Sequence, residues 1–262
     1  MKATIVQTYL HWEDRDKNLD HFNTLIDAID EETDLIVLPE MFSTGFSLLP
    51  MKTAEEHKTK TFSWLQKKAQ EKKCFITGSV AVNDGGLFFN RLHWIEPNGN
   101  ADFYDKRHLF RMAGEEKVYT AGTKKIIKPV NDFKVLPLVC YDLRFPAWSR
   151  NKLDKITNVW LYDVLIYVAN WPAVRSYPWK QLLIARAIEN QCYVIGVNRV
   201  GKDGNGYDHS GDSVVINPWG EIINLVKVNE EHIETVTLDK NYQEEFRKIF
   251  PVGLDADDFE LK

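Results

Sequence analysis

Four polar or reactive side chains stand directly after apolar segments of this chain, and they are Glu40, Lys106, Cys140 and Asn170. In α/β folds ligands gather at the ends of strands, so this shared position predicts one site at a sheet edge. A cysteine, with an ordinary pKa of about 8.5, needs a proton acceptor or positive surroundings to react at neutral pH. Glu40 can accept that proton. Lys106 can stabilise the thiolate and then the oxyanion that forms when it attacks a carbonyl or nitrile carbon.

Cys140 follows a short apolar segment, residues 135–139, which is typical of a strand covered on both faces. Pro146 suits the first turn of a following helix. A cysteine at such a strand end presents its sulfur at the sheet edge, with the backbone N–H of Tyr141 facing a substrate oxygen. A lone cysteine in a core is more often structural, however, and spacing alone leaves both interpretations open.

The elements that must position these residues follow from the hydrophobic periodicity. Strands are predicted at residues 4–8, 34–40, 75–82, 87–95, 101–104, 126–130, 133–139, 164–169, 192–198, 213–216, 222–228 and 232–238. Helices are predicted at residues 19–29, 61–73, 179–190 and 240–249. The last two strands are expected to pair with each other, and residues 201–206 are expected to form a flexible loop. Because helices and strands alternate at both ends of the chain, the class is α/β with mixed sheets.

The composition limits the function classes. Of 262 residues, 44% are hydrophobic and 27% are charged, and no linker-like segment divides them, so we expect one domain. Its core spans about residues 1–240, followed by a C-terminal helix and tail, 241–262. No apolar run is long enough for a membrane and the first residues do not resemble a signal peptide, so we expect a cytoplasmic protein. The formal net charge of −5 argues against a nucleic-acid partner.

Seven blocks, in order along nearly the whole chain, resemble the signature blocks of the nitrilase superfamily of carbon–nitrogen hydrolases. They are Leu-Pro-Glu-Met-Phe (38–42), Tyr-Asp-Lys-Arg-His-Leu-Phe (104–110), Val-Cys-Tyr-Asp-Leu-Arg-Phe-Pro (139–146), Asn-Trp-Pro (170–172), Ala-Arg-Ala-Ile-Glu-Asn (185–190), Asn-Arg-Val-Gly (198–201) and Gly-Asp-Ser (211–213). Within that superfamily the blocks look most like those of bacterial omega-amidases. The resemblance implies a four-layer α-β-β-α sandwich, a homodimer or higher homo-oligomer, and catalysis without a metal or organic cofactor.

The resemblance also implies roles for individual residues. Glu40 matches the general base, Lys106 the oxyanion-stabilising lysine and Cys140 the nucleophile. A second glutamate, which orients substrate and lysine in the family, matches Glu115 by its distance to Gly122, and Glu116 is the weaker match. These roles describe the hydrolysis of a terminal amide through a cysteine thioester.

The implied substrate is 2-oxoglutaramate or 2-oxosuccinamate, which would give the 2-oxo dicarboxylate and ammonia. One alternative is another amidase of the superfamily, acting on deaminated glutathione or on carbamoylated amines. A second alternative, from another class, is a catalytically idle interaction module on the same fold. Intact Glu40, Lys106 and Cys140 argue against the idle module, because a protein freed from catalysis has no chemical need for all three.

Residues for substrate binding are harder to assign. Arg144 could hold the carboxylate of a 2-oxo acid with two hydrogen bonds, and an ion pair with Asp142 is an equal alternative. Asn170 is a further substrate-binding candidate. Aromatic residues of the blocks could form the pocket wall, although such residues more often serve packing; they are Phe42, Phe110, Tyr141 and Trp171.

Other conspicuous residues are given structural interpretations. Cys74 and Cys192 lie inside apolar strands without a partner motif, and three scattered cysteines argue against a disulfide framework. His108 and His209 lack the spacing of metal ligands, so no metal site is expected.

Overall fold

The chain forms six α-helices and sixteen strands within residues 1–261, the part that this computed structural model describes. The helices are α1 (Arg15–Asp27), α2 (Pro50–Thr53), α3 (Lys60–Lys72), α4 (Pro146–Ser149), α5 (Ser176–Asn190) and α6 (Lys240–Ile249). The strands are β1 (Lys2–Gln7), β2 (Leu35–Val37), β3 (Glu55–Glu56), β4 (Phe75–Asp84), β5 (Leu87–Ile95), β6 (Ala101–Asp105), β7 (Lys128–Val130), β8 (Phe133–Val139), β9 (Leu153–Asp154), β10 (Val159–Trp160), β11 (Val164–Ala169), β12 (Tyr193–Asn198), β13 (Val200–Lys202), β14 (Asp208–Ser210), β15 (Val214–Ile216) and β16 (His232–Thr237). No helix in this part of the chain is long and apolar enough to cross a membrane.

Two mixed sheets form the centre of the molecule. In the first, the strand order is β16-β1-β2-β4-β5-β6, with β3 added beside β4. In the second, the order is β15-β12-β11-β8-β7. Strands β1, β2 and β4 run parallel, as do β8, β11 and β12. The short β3 is parallel to β4, and the other strands are antiparallel to their neighbours. The carboxyl ends of β2, β8 and β11 therefore carry the segments that contain Glu40, Cys140 and Asn170.

Helices cover the outer face of each sheet. One core, which includes Phe22 of α1, Leu65 of α3 and Ile36 of β2, joins the first sheet to its two helices. A second core joins the first sheet to the second sheet and α5, because both sheets and that helix contribute buried side chains to it. Gly196 of β12 allows the close approach of α5, since a Cβ there would lie 2.6 Å from Leu183. The expected four-layer α-β-β-α sandwich is confirmed.

One predicted pairing is wrong. Residues 222–228 form only isolated bridges, Ile216 to Ile222 and Gly211 to Val228, and not a strand. Strand β16 pairs instead with β1, at the opposite end of the chain, with His232 opposite Gln7. The edge of β1 offers a row of unpaired backbone groups to which β16 bonds. Local patterning does not reveal an edge so distant in sequence.

Two local details also differ from expectation. A 3-10 helix, Cys140–Arg144, begins at the cysteine itself and precedes α4, which begins at Pro146 and has only four residues. Of residues 201–206, expected to be a loop, Gly201 and Lys202 belong to β13, and residues 203–206 lie in the turn that joins it to β14 as expected. Both changes affect the shape of the site described next.

Candidate active site

The four residues that follow apolar strands line one cavity of about 640 Å³. Glu40, Lys106, Cys140 and Asn170 thus lie together, although up to 130 positions separate them in sequence. The segment after β2 is held in place by β4, because the Met41 N–H donates to Ser79 Oγ at 2.8 Å. The carboxyl end of β6 is held by the Lys106 N–H, which donates to the carbonyl oxygen of Asn90 at 3.0 Å.

Cys140 adopts a left-handed backbone conformation, with φ of 44°, at the point where β8 ends. A non-glycine residue in this region is strained and persists only when its surroundings fix it. Asp142 supplies part of that fixing, since its carboxylate accepts hydrogen bonds from the Val139 N–H at 3.1 Å and the His108 N–H at 3.0 Å. Arg186 of α5 donates to the Leu143 carbonyl at 2.6 Å. The cysteine is therefore mounted on a turn that both neighbouring layers hold.

A buried cluster of charges surrounds Lys106. Its ammonium donates to Glu40 Oε1 at 2.9 Å and to the two carboxylate oxygens of Glu115 at 3.0 and 2.9 Å. Asn90 Nδ2 donates to Glu40 Oε1 at 2.7 Å, and the Asn170 N–H donates to Glu40 Oε2 at 2.7 Å. Both carboxylates and the ammonium are almost completely inaccessible to solvent. Their orientations are consequently fixed before any substrate arrives.

Burial and charge set the protonation states in this cluster. Burial lowers the pKa of Lys106, but Glu115 and Glu40 outweigh it, so the pKa is raised and the side chain stays an ammonium. Burial also raises the pKa of Glu115. The pKa of the Cys140 thiol is raised well above its ordinary value, first by desolvation and then by the charge of Glu40, while Lys106 opposes the shift. At neutral pH the sulfur therefore carries its proton until a base removes it.

The two adjacent glutamates have different surroundings. Glu115 is fully buried against Lys106, and its carboxylate also accepts a hydrogen bond from the Phe110 N–H. Glu116 is partly exposed and lies 3.6 Å from Arg111. Gly122, from which the position of Glu115 was inferred, packs where a Cβ would lie 2.0 Å from the Asp105 carbonyl oxygen. Only glycine fits there, because any side chain would overlap the Asp105 carbonyl group.

Three of the four aromatic candidates line the cavity, namely Phe110, Tyr141 and Trp171. Phe42 does not. Its ring is fully buried between the first sheet and the helices, with centroids 5.3 Å from Phe22 and 5.8 Å from Trp64. The turn after Glu40 directs the side chain of Phe42 into that core, so its assignment to the pocket wall is wrong.

Arg144 lines the cavity, and the suggested ion pair with Asp142 is not present. The carboxylate of Asp142 is already occupied by donors, which include the Tyr104 hydroxyl at 2.7 Å and the His108 ring at 2.7 Å. The Arg144 guanidinium lies over the ring of Trp171, 5.0 Å from its centroid. Of the two interpretations offered for Arg144, only the cavity position agrees with the structure.

Several cavity residues escape sequence reasoning. Asn90 does not line the cavity itself but donates to Glu40, and its one sequence signal is a polar residue in a strand whose neighbours are largely apolar. Arg175 lies in a 3-10 helix just after the Asn-Trp-Pro block. Pro172, the last residue of the Asn-Trp-Pro block, also lines the cavity. No local signal marks the remaining wall residues, which approach from the segment after Glu40, from the segment after Phe110 and from the β13–β14 hairpin; they are Phe46, Leu48, Met112, Ala113, Asp203, Asn205, Tyr207 and His209.

The charge cluster around Lys106 does not include Cys74, Cys192, His108 or His209. Cys74 and Cys192 are buried, and burial raises the pKa of Cys74 to about 12. Burial lowers the pKa of His209 to about 4, so this cavity residue is neutral at physiological pH. Within residues 1–261, no group of three His, Cys, Asp or Glu side chains is placed to hold a metal ion.

Residues 2–248 match the family model of carbon-nitrogen hydrolases. The chain belongs to this family. It is 46% identical to omega-amidase YafV of Escherichia coli K12, over the full chain and 98% of that protein. It is 34% identical to 2-oxoglutaramate amidase of Bacillus subtilis, over 96% of each chain. The crystal structure of XC1258 from Xanthomonas campestris, a CN-hydrolase superfamily protein with an arsenic adduct in its active site, superposes with a TM-score of 0.97. That chain is 39% identical, with 100% of this chain and 99% of that one covered.

The family resemblance noted in the sequence is confirmed by these comparisons. The protein is a hydrolase that acts on carbon–nitrogen bonds. This membership directs attention to the cavity as the place where an amide would bind.

Proposed function

We propose that this chain is an omega-amidase that hydrolyses the terminal amide of 2-oxoglutaramate or 2-oxosuccinamate. The observation that carries the proposal is the full-length similarity to proteins named omega-amidase and 2-oxoglutaramate amidase. The cavity supports it, because a cysteine, a lysine and two glutamates converge there. Its volume of about 640 Å³ is ample for a small amide.

In this proposal Cys140 is the nucleophile and Glu40 is the general base. The raised pKa of the thiol makes a base necessary, since little thiolate exists at neutral pH. The Asn170 N–H and the Lys106 ammonium bind the Glu40 carboxylate and hold it beside the sulfur. A fixed base of this kind contributes about 10² to 10⁴-fold to the rate of a proton transfer step.

The first half-reaction forms a thioester. Glu40 accepts the thiol proton while the sulfur of Cys140 bonds to the amide carbon, and the carbonyl π electrons move to the oxygen. Lys106 and the Tyr141 N–H stabilise the resulting oxyanion. When the oxyanion collapses, the carbon–nitrogen bond breaks, and the nitrogen takes the proton from Glu40 and leaves as ammonia.

The second half-reaction restores the enzyme. Glu40, again a carboxylate, accepts a proton from a water molecule as the water oxygen bonds to the thioester carbon. Lys106 stabilises the second oxyanion, and the carbon–sulfur bond then breaks. The proton returns to Cys140, and the new carboxylic acid leaves as its carboxylate.

Glu115 acts in this scheme through Lys106. With Glu40 it keeps the lysine protonated and directs its ammonium, and Asn90 donates to both carboxylates. The proposal further includes one domain over residues 1–262, assembly into a homodimer or higher homo-oligomer, and a cytoplasmic location. The assembly and the location rest on the family resemblance and on the sequence pattern.

The decisive experiment measures ammonia release by the purified protein from 2-oxoglutaramate, glutamine, asparagine and butanamide. We expect rapid release from 2-oxoglutaramate, slow release from the other three, and none with Cys140→Ala. Circular dichroism of Cys140→Ala should match that of the parent protein. Equal rates on all four amides would contradict the substrate assignment, and full activity of Cys140→Ala would contradict the role of the cysteine.

A further inference from the structure

Two arginines reach the cavity from different segments of the chain. Arg144 belongs to the 3-10 helix after β8, and Arg175 belongs to the 3-10 helix Ala173–Arg175 that leads into α5. Arg144 is exposed and Arg175 is half-buried, and neither forms a salt bridge with any carboxylate of residues 1–261. The buried Arg91, Arg186 and Arg247 each face a carboxylate, and the buried Arg199 donates to backbone carbonyls instead. The cavity therefore contains two cations that do not directly contact a carboxylate of residues 1–261.

Trp171 positions both of these arginines. Its ring lies beneath the guanidinium of Arg144, and its indole N–H donates to the Arg175 carbonyl at 2.7 Å. Trp171 is itself buried, and its backbone N–H donates to the side-chain oxygen of Asn198 at 2.8 Å. The guanidinium of Arg175 lies 5.3 Å from the ring centroid of Phe110. A guanidinium resting on an aromatic face keeps its N–H edges available for an acceptor.

The anionic groups around the cavity are already engaged. Glu40 and Glu115 bind the ammonium of Lys106. Asp203, in the turn between β13 and β14, accepts hydrogen bonds from the N–H groups of Asn205 and Tyr207. An acceptor for the two arginines is therefore expected to come from the ligand.

We propose that Arg144 and Arg175 together bind a carboxylate at the end of the substrate remote from the amide, with Trp171 as their positioning residue. This inference rests on the proposed function and names the residues that recognise the far carboxylate of its substrate. Two guanidiniums can each donate paired hydrogen bonds to one carboxylate. An amide that ends in a methyl group would leave both cations without a partner and would gain none of this binding.

The test compares two amides that differ only at the far end. 2-Oxoglutaramate carries a carboxylate there, and 4-oxopentanamide carries a methyl group on the same carbon skeleton. With Arg175→Ala we expect kcat/KM for 2-oxoglutaramate to fall by about 10². The value for 4-oxopentanamide should change by less than about threefold, because no charge-assisted bond is lost. Arg144→Ala should show the same selective loss.

Further variants separate contact from general charge. Arg111→Ala is the matched control, because Arg111 is an exposed arginine outside the cavity that faces Glu116. It should leave the ratio of the two amides unchanged. Arg175→Lys keeps the charge without the planar fork and should restore only part of the ratio. Trp171→Phe keeps a ring under Arg144 but removes the bond to Arg175, and it should raise KM for 2-oxoglutaramate more than it lowers kcat.

The outcomes distinguish this inference from the proposed function. An equal loss on both amides with Arg175→Ala would mean a structural role, and no loss would mean no contact; either result overturns the inference. If the parent protein does not hydrolyse 2-oxoglutaramate, the proposed function fails, and the same variants are compared on succinamate and butanamide. A selective loss on succinamate would still support the arginine pair. No hydrolysis of either carboxylate-bearing amide would overturn both.

Discussion

Lys106 lies between two carboxylates at the centre of the cavity, so three buried side chains together carry one net negative charge. Such a group is stable only when every charge has a partner, and Asn90 and two backbone N–H groups supply the remaining hydrogen bonds. Desolvation first, and then the charge of Glu40, raise the pKa of Cys140 and keep the thiol protonated. Because the Lys106 ammonium is already buried, it can stabilise an oxyanion without first losing bound water.

Replacing Glu115 by glutamine tests the importance of that charge balance. Glu115→Gln keeps the shape of the side chain but removes one negative charge and an acceptor for Lys106. We expect kcat to fall by about 100-fold, because the oxyanion-binding ammonium loses its orientation. Steady-state kinetics with the preferred amide provide the measurement.

Glu116→Gln is the matched control for this prediction. Its side chain is partly exposed and does not contact Lys106, so kcat should remain that of the parent protein. Equal losses in the two variants would assign the effect to the local loop, and an unchanged kcat in Glu115→Gln would remove Glu115 from the mechanism.

At the residue scale, the sequence predicts those site residues that lie in or near the blocks that resemble the family. Glu40, Lys106, Cys140 and Glu115 were assigned from the resemblance, and the structure brings them together. Arg175 was missed, because a lone arginine after a block has no distinctive neighbours. A motif does not reveal the direction of a side chain, which is why Phe42 was assigned to the pocket wall although it packs in the core.

At the scale of elements, strand ends and helices converge on the turn that carries Cys140. Asp142 joins that turn to the segment after Lys106, and Arg186 joins it to α5. Most of these elements were predictable, since periodicity depends on near neighbours; the predicted bounds of β5, β8 and α6 agree with the structure. The pairing of β16 with β1 was not predictable, because it depends on an edge more than two hundred residues away.

Helix α6 offers a test of how firmly the C-terminal element belongs to the domain. Its Arg247 is buried and donates to Asp163 Oδ1 at 2.7 Å, to the Gln191 carbonyl at 3.0 Å and to the Tyr162 carbonyl at 3.1 Å. Arg247→Ala removes these three bonds and the charge that faces Asp163. The Asp163 carboxylate keeps Lys240, and the Gln191 and Tyr162 carbonyls keep the amides of Gln243 and Asn151. We expect the free energy of unfolding to fall by about 3 kcal/mol, measured by urea titration.

Lys248→Ala, on the exposed face of the same helix, should leave the urea midpoint unchanged. The transition of Arg247→Ala should remain single and should include the fluorescence change of the whole protein, as expected for one domain over residues 1–262. A separate early transition would show instead that α6 unfolds on its own, and the proposed single domain would then have to exclude it.

For the whole molecule, the sandwich buries ionisable groups that the active site does not use. His93 of β5 is buried against Phe62 and beside His57, with ring centroids 5.4 and 6.3 Å away. Burial lowers the pKa of His93 to about 3, with a further contribution from the charge of Arg91. In the unfolded chain the same ring has a pKa of about 6.5. Folding therefore prevents His93 from binding a proton over a wide range of acid pH.

The sign of the resulting pH dependence follows from proton linkage. Between about pH 6.5 and pH 3 the unfolded state binds one proton that the folded state does not, so acid favours unfolding. The contribution of His93 to stability is complete above pH 6.5 and is lost as the pH falls, at about 1.4 kcal/mol per pH unit. With His93→Phe, the slope of unfolding free energy against pH should become shallower by that amount between pH 6 and pH 4.

The slope separates this titration from packing. The bulkier ring of Phe changes the free energy of unfolding equally at every pH, and urea titrations at pH 8 measure this constant difference. His93→Gln is smaller and cannot gain charge. It should show a different constant difference but the same reduced slope. If both variants keep the slope of the parent protein, His93 accepts a proton in the folded state. Acid sensitivity would then have to arise from other buried groups, of which His209 is the next to test, because its pKa is lowered to about 4.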